Sequence, residues 1–252
     1  MLFAWIDEIQ KSHGIEGDIF EIGVHHGKSA VLLGSLLDPG REELAVCDLF
    51  EDQGQNVSGS GFGQRHLFER NMASCLPGGI KVRIFSRSSS KLTPEETGTN
   101  YRLFHVDGGH TPEEALGDLR FAARVTIAEG VIAVDDPLTP VWPGVAEAIF
   151  RFLSEDRRFC ALVAAFNKLL LVQRDSAQLY AQALDSEESQ ATYGLGYPWH
   201  SKVTPFMEHP MRVFFVPTSV RPHSIRTKLI RSYHRHRWLA PLASLARNLG
   251  RR

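Results

Sequence analysis

Short apolar runs rich in β-branched residues alternate along this chain with stretches whose apolar positions recur at helical spacing. Continuous apolar runs of that length are buried on both faces, which is the habit of parallel strands, and the intervening stretches then serve as crossover helices. The pattern predicts strands over 18–23, 44–49, 80–85, 102–107 and 131–135. It predicts helices over 28–37, stopped by Asp38-Pro39-Gly40, over 112–128, and over 145–154. The helix from Pro112 carries acidic residues near its positive end and stops at Glu129-Gly130. Two more runs, 160–166 and 169–173, meet at Asn167-Lys168 and predict a terminal antiparallel hairpin. Residues 1–14 form an amphipathic stretch. Residues 51–63 are rich in Gly, Ser, Asn and Gln and predict a lid at the carboxyl end of the second strand, the edge where open α/β sheets bind ligands. Beyond Asp175 the pattern becomes irregular, with 193–199 aromatic and 211–216 strand-like, and no internal repeat is visible.

Length and composition fit one α/β domain with additions. The chain has 252 residues, 43% hydrophobic and 23% charged, enough to bury a sizeable core. We divide it into a core over 1–175 that includes the lid, a substrate-side extension over 176–220, and a basic amphipathic tail over 221–252. The net charge of −1 hides an asymmetry: nine of the 28 Lys/Arg residues lie from Arg221 onward, while all 29 acidic residues precede it. Such a tail suits an anionic partner or membrane surface, or the chain's own acidic body. No apolar run is long enough to span a bilayer, and the start lacks the features of a signal peptide. Cys47, Cys75 and Cys160 are odd in number and widely spaced, so a reducing, cytoplasmic setting is expected.

Chemistry gathers at the ends of the predicted strands. Glu21-Ile-Gly-Val-His-His-Gly-Lys-Ser29 follows a strand and opens a helix, where Gly23 and Gly27 let the backbone approach a ligand. The glycine spacing departs from both the phosphate-binding loop and the dinucleotide fingerprint. Asp48, ending the second strand, is placed to accept both hydroxyls of a ribose. Asp107 ends the fourth strand, and Asp135 and Asp136 end the fifth, its neighbour in the sheet. Three carboxylates on one edge repel one another unless a cation lies between them, and oxygen donors that leave open positions suit Mg²⁺ or another divalent cation. His110, three residues after Asp107, is within reach of a hydroxyl bound there.

Glu21, Gly23, Gly27 and Asp48, in this order, resemble the first motifs of class I S-adenosylmethionine (SAM)-dependent methyltransferases. The resemblance covers about residues 17–173. It implies an α/β, Rossmann-like fold with a mostly parallel seven-stranded sheet and a terminal antiparallel hairpin. It also implies that Gly23 and Gly27 border the methionine part of SAM, Ser29 its carboxylate, Asp48 the ribose and Ser88 the adenine. Asp107 is assigned to both the cofactor and the metal sets. With Asp107, His110, Asp135 and Asp136 added, the chain resembles the metal-dependent O-methyltransferases, in particular the macrocin type that methylates sugar hydroxyls. Where the catechol type has a lysine base and Asp-Asn, this chain has His110 and Asp135-Asp136; Pro137 departs from the Asp-Asp-Tyr frequent in the sugar-directed branch. The expected reaction is methyl transfer to a sugar or other small hydroxylated acceptor, with His110 as base. A phenol or catechol acceptor, and a non-catalytic SAM-binding scaffold using the basic tail, are the alternatives. Nucleic acid is disfavoured because Val106-Asp-Gly-Gly-His110 has no proline–aromatic clamp, and self-association is left open. His25 and His26 read as packing and surface residues, His105 as a core residue, and Trp142-Pro-Gly144 as either a substrate wall or a rigid turn.

Overall fold

The computed structural model describes residues 2–185 and 200–215. The aromatic stretch at 193–199 and the basic tail at 221–252 lie outside the described residues. The architecture below is that of the compact unit Met1–Phe214. Among the described residues, nine strands form one sheet: β1 (Asp18–Ile22), β2 (Glu43–Asp48), β3 (Lys81–Ser86), β4 (Tyr101–Val106), β5 (Thr126–Asp135), β6 (Phe159–Ala165), β7 (Lys168–Gln173), β8 (His200–Phe206) and β9 (His209–Phe215). Their spatial order is β3-β2-β1-β4-β5-β7-β6-β9-β8. β3 to β5 run parallel, and β7 runs antiparallel to both β5 and β6. The sheet therefore has the expected mostly parallel layout with a reversed strand. It extends two strands beyond the expected seven, because β9 adds parallel to β6 and β8 continues the order at the edge.

Alternation along the strands builds two cores. Phe20, Ile22, Phe104 and Val106 face α5 (Pro112–Val125) and α6 (Pro143–Glu155), and the Phe20 and Phe104 rings stack with centroids 4.8 Å apart. Ile19, Val46 and Leu103 face the other layer, made by α1 (Leu2–Ser12), α2 (Lys28–Gly34), α3 (Arg65–Cys75) and α7 (Ala177–Asp185). Arg102 is fully buried among polar partners at the amino end of β4: its guanidinium reaches Glu42 at 2.7 Å, Asp7 at 2.9 Å and Gln10 at 2.9 Å. These bonds tie α1 and the α2–β2 loop to the centre of the sheet.

Several boundaries differ from the sequence reading. α2 ends at Gly34, three residues early. α5 stops at Val125, and Thr126 already begins β5. The carbonyls of Ala128 and Glu129 accept from Ser176 Oγ and Tyr180 Oη, so long-range partners replace the helical ones that this segment would otherwise use. The β6–β7 turn is Phe166-Asn167, both at positive φ, one residue before the predicted pair; this starts β7 at Lys168. α3, the short α4 (Pro94–Thr97) and β8 were not anticipated. α3 buries only Phe68 and Met72, too few to mark a helical stripe. α7 hides its period in nine residues, and β8 contains Pro205, which an edge strand tolerates. No helix among the described residues is long and apolar enough to cross a membrane.

Candidate active site

The spatial order of strands reverses between β1 and β4, so the loops leaving their carboxyl ends diverge and open a crevice. A cavity of about 730 Å³ fills it. Gly23, Asp48, Ser88, Asp107, His110, Asp135 and Asp136 all line this cavity. Glu21, Gly27 and Ser29 are not among its lining residues.

Gly23 sits where β1 and β4 come closest. At φ +83° a Cβ there would lie 1.8 Å from the carbonyl oxygen of Asp107, so only glycine fits. Gly27 (φ +86°) is the N-cap of α2, and an added Cβ would strike Met72 of α3. Asp48 is held by three backbone amides. Val24 N and His25 N both donate to its Oδ2 at 2.8 Å, and Phe50 N donates to Oδ1 at 2.7 Å. The carboxylate therefore pins the glycine loop while still lining the cavity. His25 lines the cavity as well, its ring tilted against that of His26 with centroids 3.8 Å apart. Burial first, then His26, holds its imidazole below its ordinary pKa.

At the other end the carboxylates meet. Donor atoms of Asp107, His110 and Asp136 converge within 4.8 Å, as do those of His105, Asp107 and Asp135. Burial, the Asp135 carboxylate and Glu21 push the Asp107 carboxyl up to about 9. Burial also opposes ionisation of Asp135, but the Lys168 ammonium, 2.9 Å from its Oδ2, holds it below the usual range. Asp136 adopts φ +53°, and Asn167 Nδ2 donates to its Oδ1 at 2.5 Å and to Asp135 Oδ1 at 3.3 Å. Each group offers two carboxyl oxygens and an imidazole nitrogen, donor types that a divalent cation accepts.

Behind the carboxylates runs a buried polar row. Lys168 Nζ lies 3.0 Å from His105 Nε2, and His105 Nδ1 lies 2.7 Å from Glu21 Oε1. Both Glu21 and His105 are fully buried under Phe3 of α1, which explains why Glu21 does not reach the cavity. An ammonium can only donate, so His105 accepts at Nε2 and donates from Nδ1 to Glu21. His105 is thus a core residue, as expected, but a polar one.

Residues 51–63, the expected lid, contribute eight cavity residues, among them Asn56, Val57, Ser58 and Ser60. Ser60 Oγ lies 2.9 Å from His110 Nδ1, and Trp142 tilts against the imidazole with centroids 4.4 Å apart. Trp142 therefore forms a wall, and with Pro143 it also opens α6. The sequence reading missed Lys168, Ser60 and Asp118. Asp118, buried on α5, lines the cavity near Ser88; burial pushes its carboxyl up to about 7, and its Oδ2 has no hydrogen-bond partner among the described residues. Its spacing with Ala115, Leu119 and Ala122 on the buried face of α5 was the one available signal, a carboxylate where an apolar residue belongs.

Residues 20–137 match the family described as "Methyltransferase domain". No curated protein matches the sequence. Among solved structures, the chain is similar to the O-methyltransferase NovP, with a TM-score of 0.58 and 16% identity, covering 68% of this chain and 78% of that one. A methyltransferase of Podospora anserina, PaMTH1, bound to SAH, gives 0.49 and 18% over 69% of this chain and 78% of its own. CalS11, a TDP-rhamnose 3′-O-methyltransferase of calicheamicin biosynthesis, gives 0.48 and 15% over 68% and 78%. The likeness to NovP shows a shared fold.

Proposed function

We propose that the methyltransferase domain at residues 20–137, on its Rossmann-like class I fold, transfers the methyl group of SAM to a hydroxyl oxygen of a sugar-containing acceptor. The observation that carries this reading is one cavity with Gly23 and Asp48 at one end and Asp107, His110, Asp135 and Asp136 at the other. Gly23 gives the methionine part of the donor its close approach to backbone. Asp48, anchored by the loop amides, keeps acceptor capacity for ribose hydroxyls, and Ser88 lies by the adenine. Asp107, Asp135 and Asp136 would hold a divalent cation, which supplies positive charge that acidifies and orients an alcohol.

In the reaction the acceptor oxygen attacks the sulfonium methyl in line. The O–C bond forms as the S–C bond breaks, its electron pair returns to sulfur, and the hydroxyl proton passes to His110 Nε2. An imidazole suits that task near neutral pH. Trp142 and the lid residues exclude water and fix the acceptor, which converts much of the barrier into prepaid orientation. The names of NovP and CalS11 support oxygen as the target, and the latter supports a sugar.

The test is mass spectrometry with methyl-labelled SAM against nucleoside-diphosphate sugars, free glycosides and catechols. Labelled glycoside, lost on EDTA treatment and restored by Mg²⁺, is the expected result; product from catechols alone would overturn the sugar assignment. His110→Ala should lower turnover by about 10²–10⁴-fold, and undiminished turnover would end its role as base.

A further inference from the structure

His110 can act as a base only if its cavity-facing nitrogen is free of a proton, and a neutral imidazole has two tautomers. Nε2 faces the carboxylates, 3.6 Å from Asp136 Oδ2. That separation exceeds a hydrogen bond, so Asp136 does not hold a proton on Nε2. The other nitrogen, Nδ1, meets Ser60 Oγ at 2.9 Å. Ser60 Oγ meets Ser58 Oγ at 2.8 Å, and Ser58 Oγ meets Asn56 Oδ1 at 3.3 Å. Three lid residues thus form a chain of hydrogen bonds ending on the imidazole.

The far end of that chain has a fixed polarity. Asn56 Nδ2 donates to the carbonyls of Ser60 at 2.7 Å and Gly61 at 3.2 Å, and to Gln53 Oε1 at 2.7 Å. Its Oδ1 accepts from Gly59 N at 2.9 Å. Turning the amide over would set oxygen against three oxygens and a nitrogen donor against an N–H. Asn56 Oδ1 is therefore an acceptor, and Ser58 must donate to it. Each hydroxyl has one proton, so Ser58 then accepts from Ser60, and Ser60 accepts from His110 Nδ1–H.

We infer that Ser60, through Ser58 and Asn56, is a positioning residue that holds neutral His110 in the Nδ1–H tautomer and leaves Nε2 unprotonated toward the acceptor. The value of this for catalysis rests on the reading of His110 as the base; the tautomer itself does not. One consequence is that the lid readies the base only when residues 56–60 are folded against it.

The experiment is long-range ¹H–¹⁵N correlation of the imidazole nitrogens in the full-length, ¹⁵N-labelled protein at about pH 8.5, where imidazole is neutral. His110→Gln identifies the His110 signals by their loss. The wild type should show Nδ1 protonated and Nε2 bare. Ser60→Ala should shift His110 toward the Nε2–H form, while Ser60→Thr, which keeps the hydroxyl, should retain the wild-type pattern. Unchanged backbone amide signals away from the lid keep each variant interpretable. A wild type already in the Nε2–H form, or a Ser60→Ala variant with unmoved His110 signals, overturns the inference. The base reading is tested apart from this by methyl transfer in His110→Ala. Loss of turnover there with unmoved signals in Ser60→Ala would spare the base and discard the chain. The opposite pair of results would spare the chain and discard the base.

Discussion

Asp118 is the residue whose environment conflicts most with its chemistry. Buried on α5, it receives hydrogen bonds from Ser89 and the Gly109 amide, yet one oxygen has no partner among the described residues, and its carboxyl is pushed up to about 7. The folded protein therefore binds this proton more tightly than the unfolded chain, whose carboxyl titrates near 3.9. Stability from this group is complete below about pH 4 and is lost as pH rises through about 7. Asp118→Asn keeps the shape and removes the titration. It should flatten the loss and gain on the order of 2 kcal/mol at alkaline pH, less than the full linkage value of ~4 kcal/mol because surrounding dipoles relax. Urea midpoints at about pH 5 and pH 8.5 measure this, and parallel slopes for both proteins would refute it.

The same residue marks where sequence reasoning stopped. Asp48, Asp107, Asp135 and Asp136 were legible because each ends an apolar run, and strand ends in a parallel sheet share one edge. Asp118 sits in mid-helix, Ser60 in a polar loop and Lys168 after a turn. No local pattern says that these three reach the same cavity or its carboxylates.

At the scale of elements, the strongest cross-link is Arg102, which joins α1, the loop before β2 and β4. Removing its guanidinium leaves Glu42 buried without its counter-ion and Asp7 paired with Lys11 alone. Arg102→Ala should cost roughly 3–5 kcal/mol, seen as a lower urea midpoint with an unchanged m-value. A loss below ~1 kcal/mol would mean that the cluster is hydrated and not a true core pair. Elements with a clean apolar period, such as α5 and α6, were readable to within a few residues. α3 was not, because it buries two side chains and exposes a polar remainder. The end of α5 moved because α7, distant in sequence, supplies partners to the Ala128 and Glu129 carbonyls.

At the scale of the molecule, the switch between β1 and β4 gathers the crevice, and helical layers pack on both faces of the sheet. On the proposed reading the demethylated cofactor SAH binds the native state alone. At 100 times its dissociation constant it adds about 2.7 kcal/mol, a rise in Tm of roughly 5–10 °C for a domain of this size. Gly23→Ala should abolish that rise, since its Cβ would collide with Asp107 backbone, and it should also lower the Tm of the free protein. A full SAH-induced shift in the variant would move the donor away from Gly23. The seven-strand core was visible in the sequence because each strand is a short, largely apolar run, even where Glu21, Arg83, Arg102 and His105 interrupt it. β8 and its pairing were hidden by proline and by a turn whose residues, Met207 and Glu208, look nothing like turn formers yet both adopt positive φ.

The reversed strand has one more implication. Because β7 runs against its neighbours, its first residue, not its last, arrives at the carboxylate edge, brought there by the two-residue turn Phe166-Asn167. A tight turn is the most portable piece of a fold: it can be lengthened or exchanged without rebuilding a crossover helix. Here that freedom is curtailed: Asn167 donates to Asp135 and Asp136, so an exchange at 166–167 would reach the carboxylates themselves.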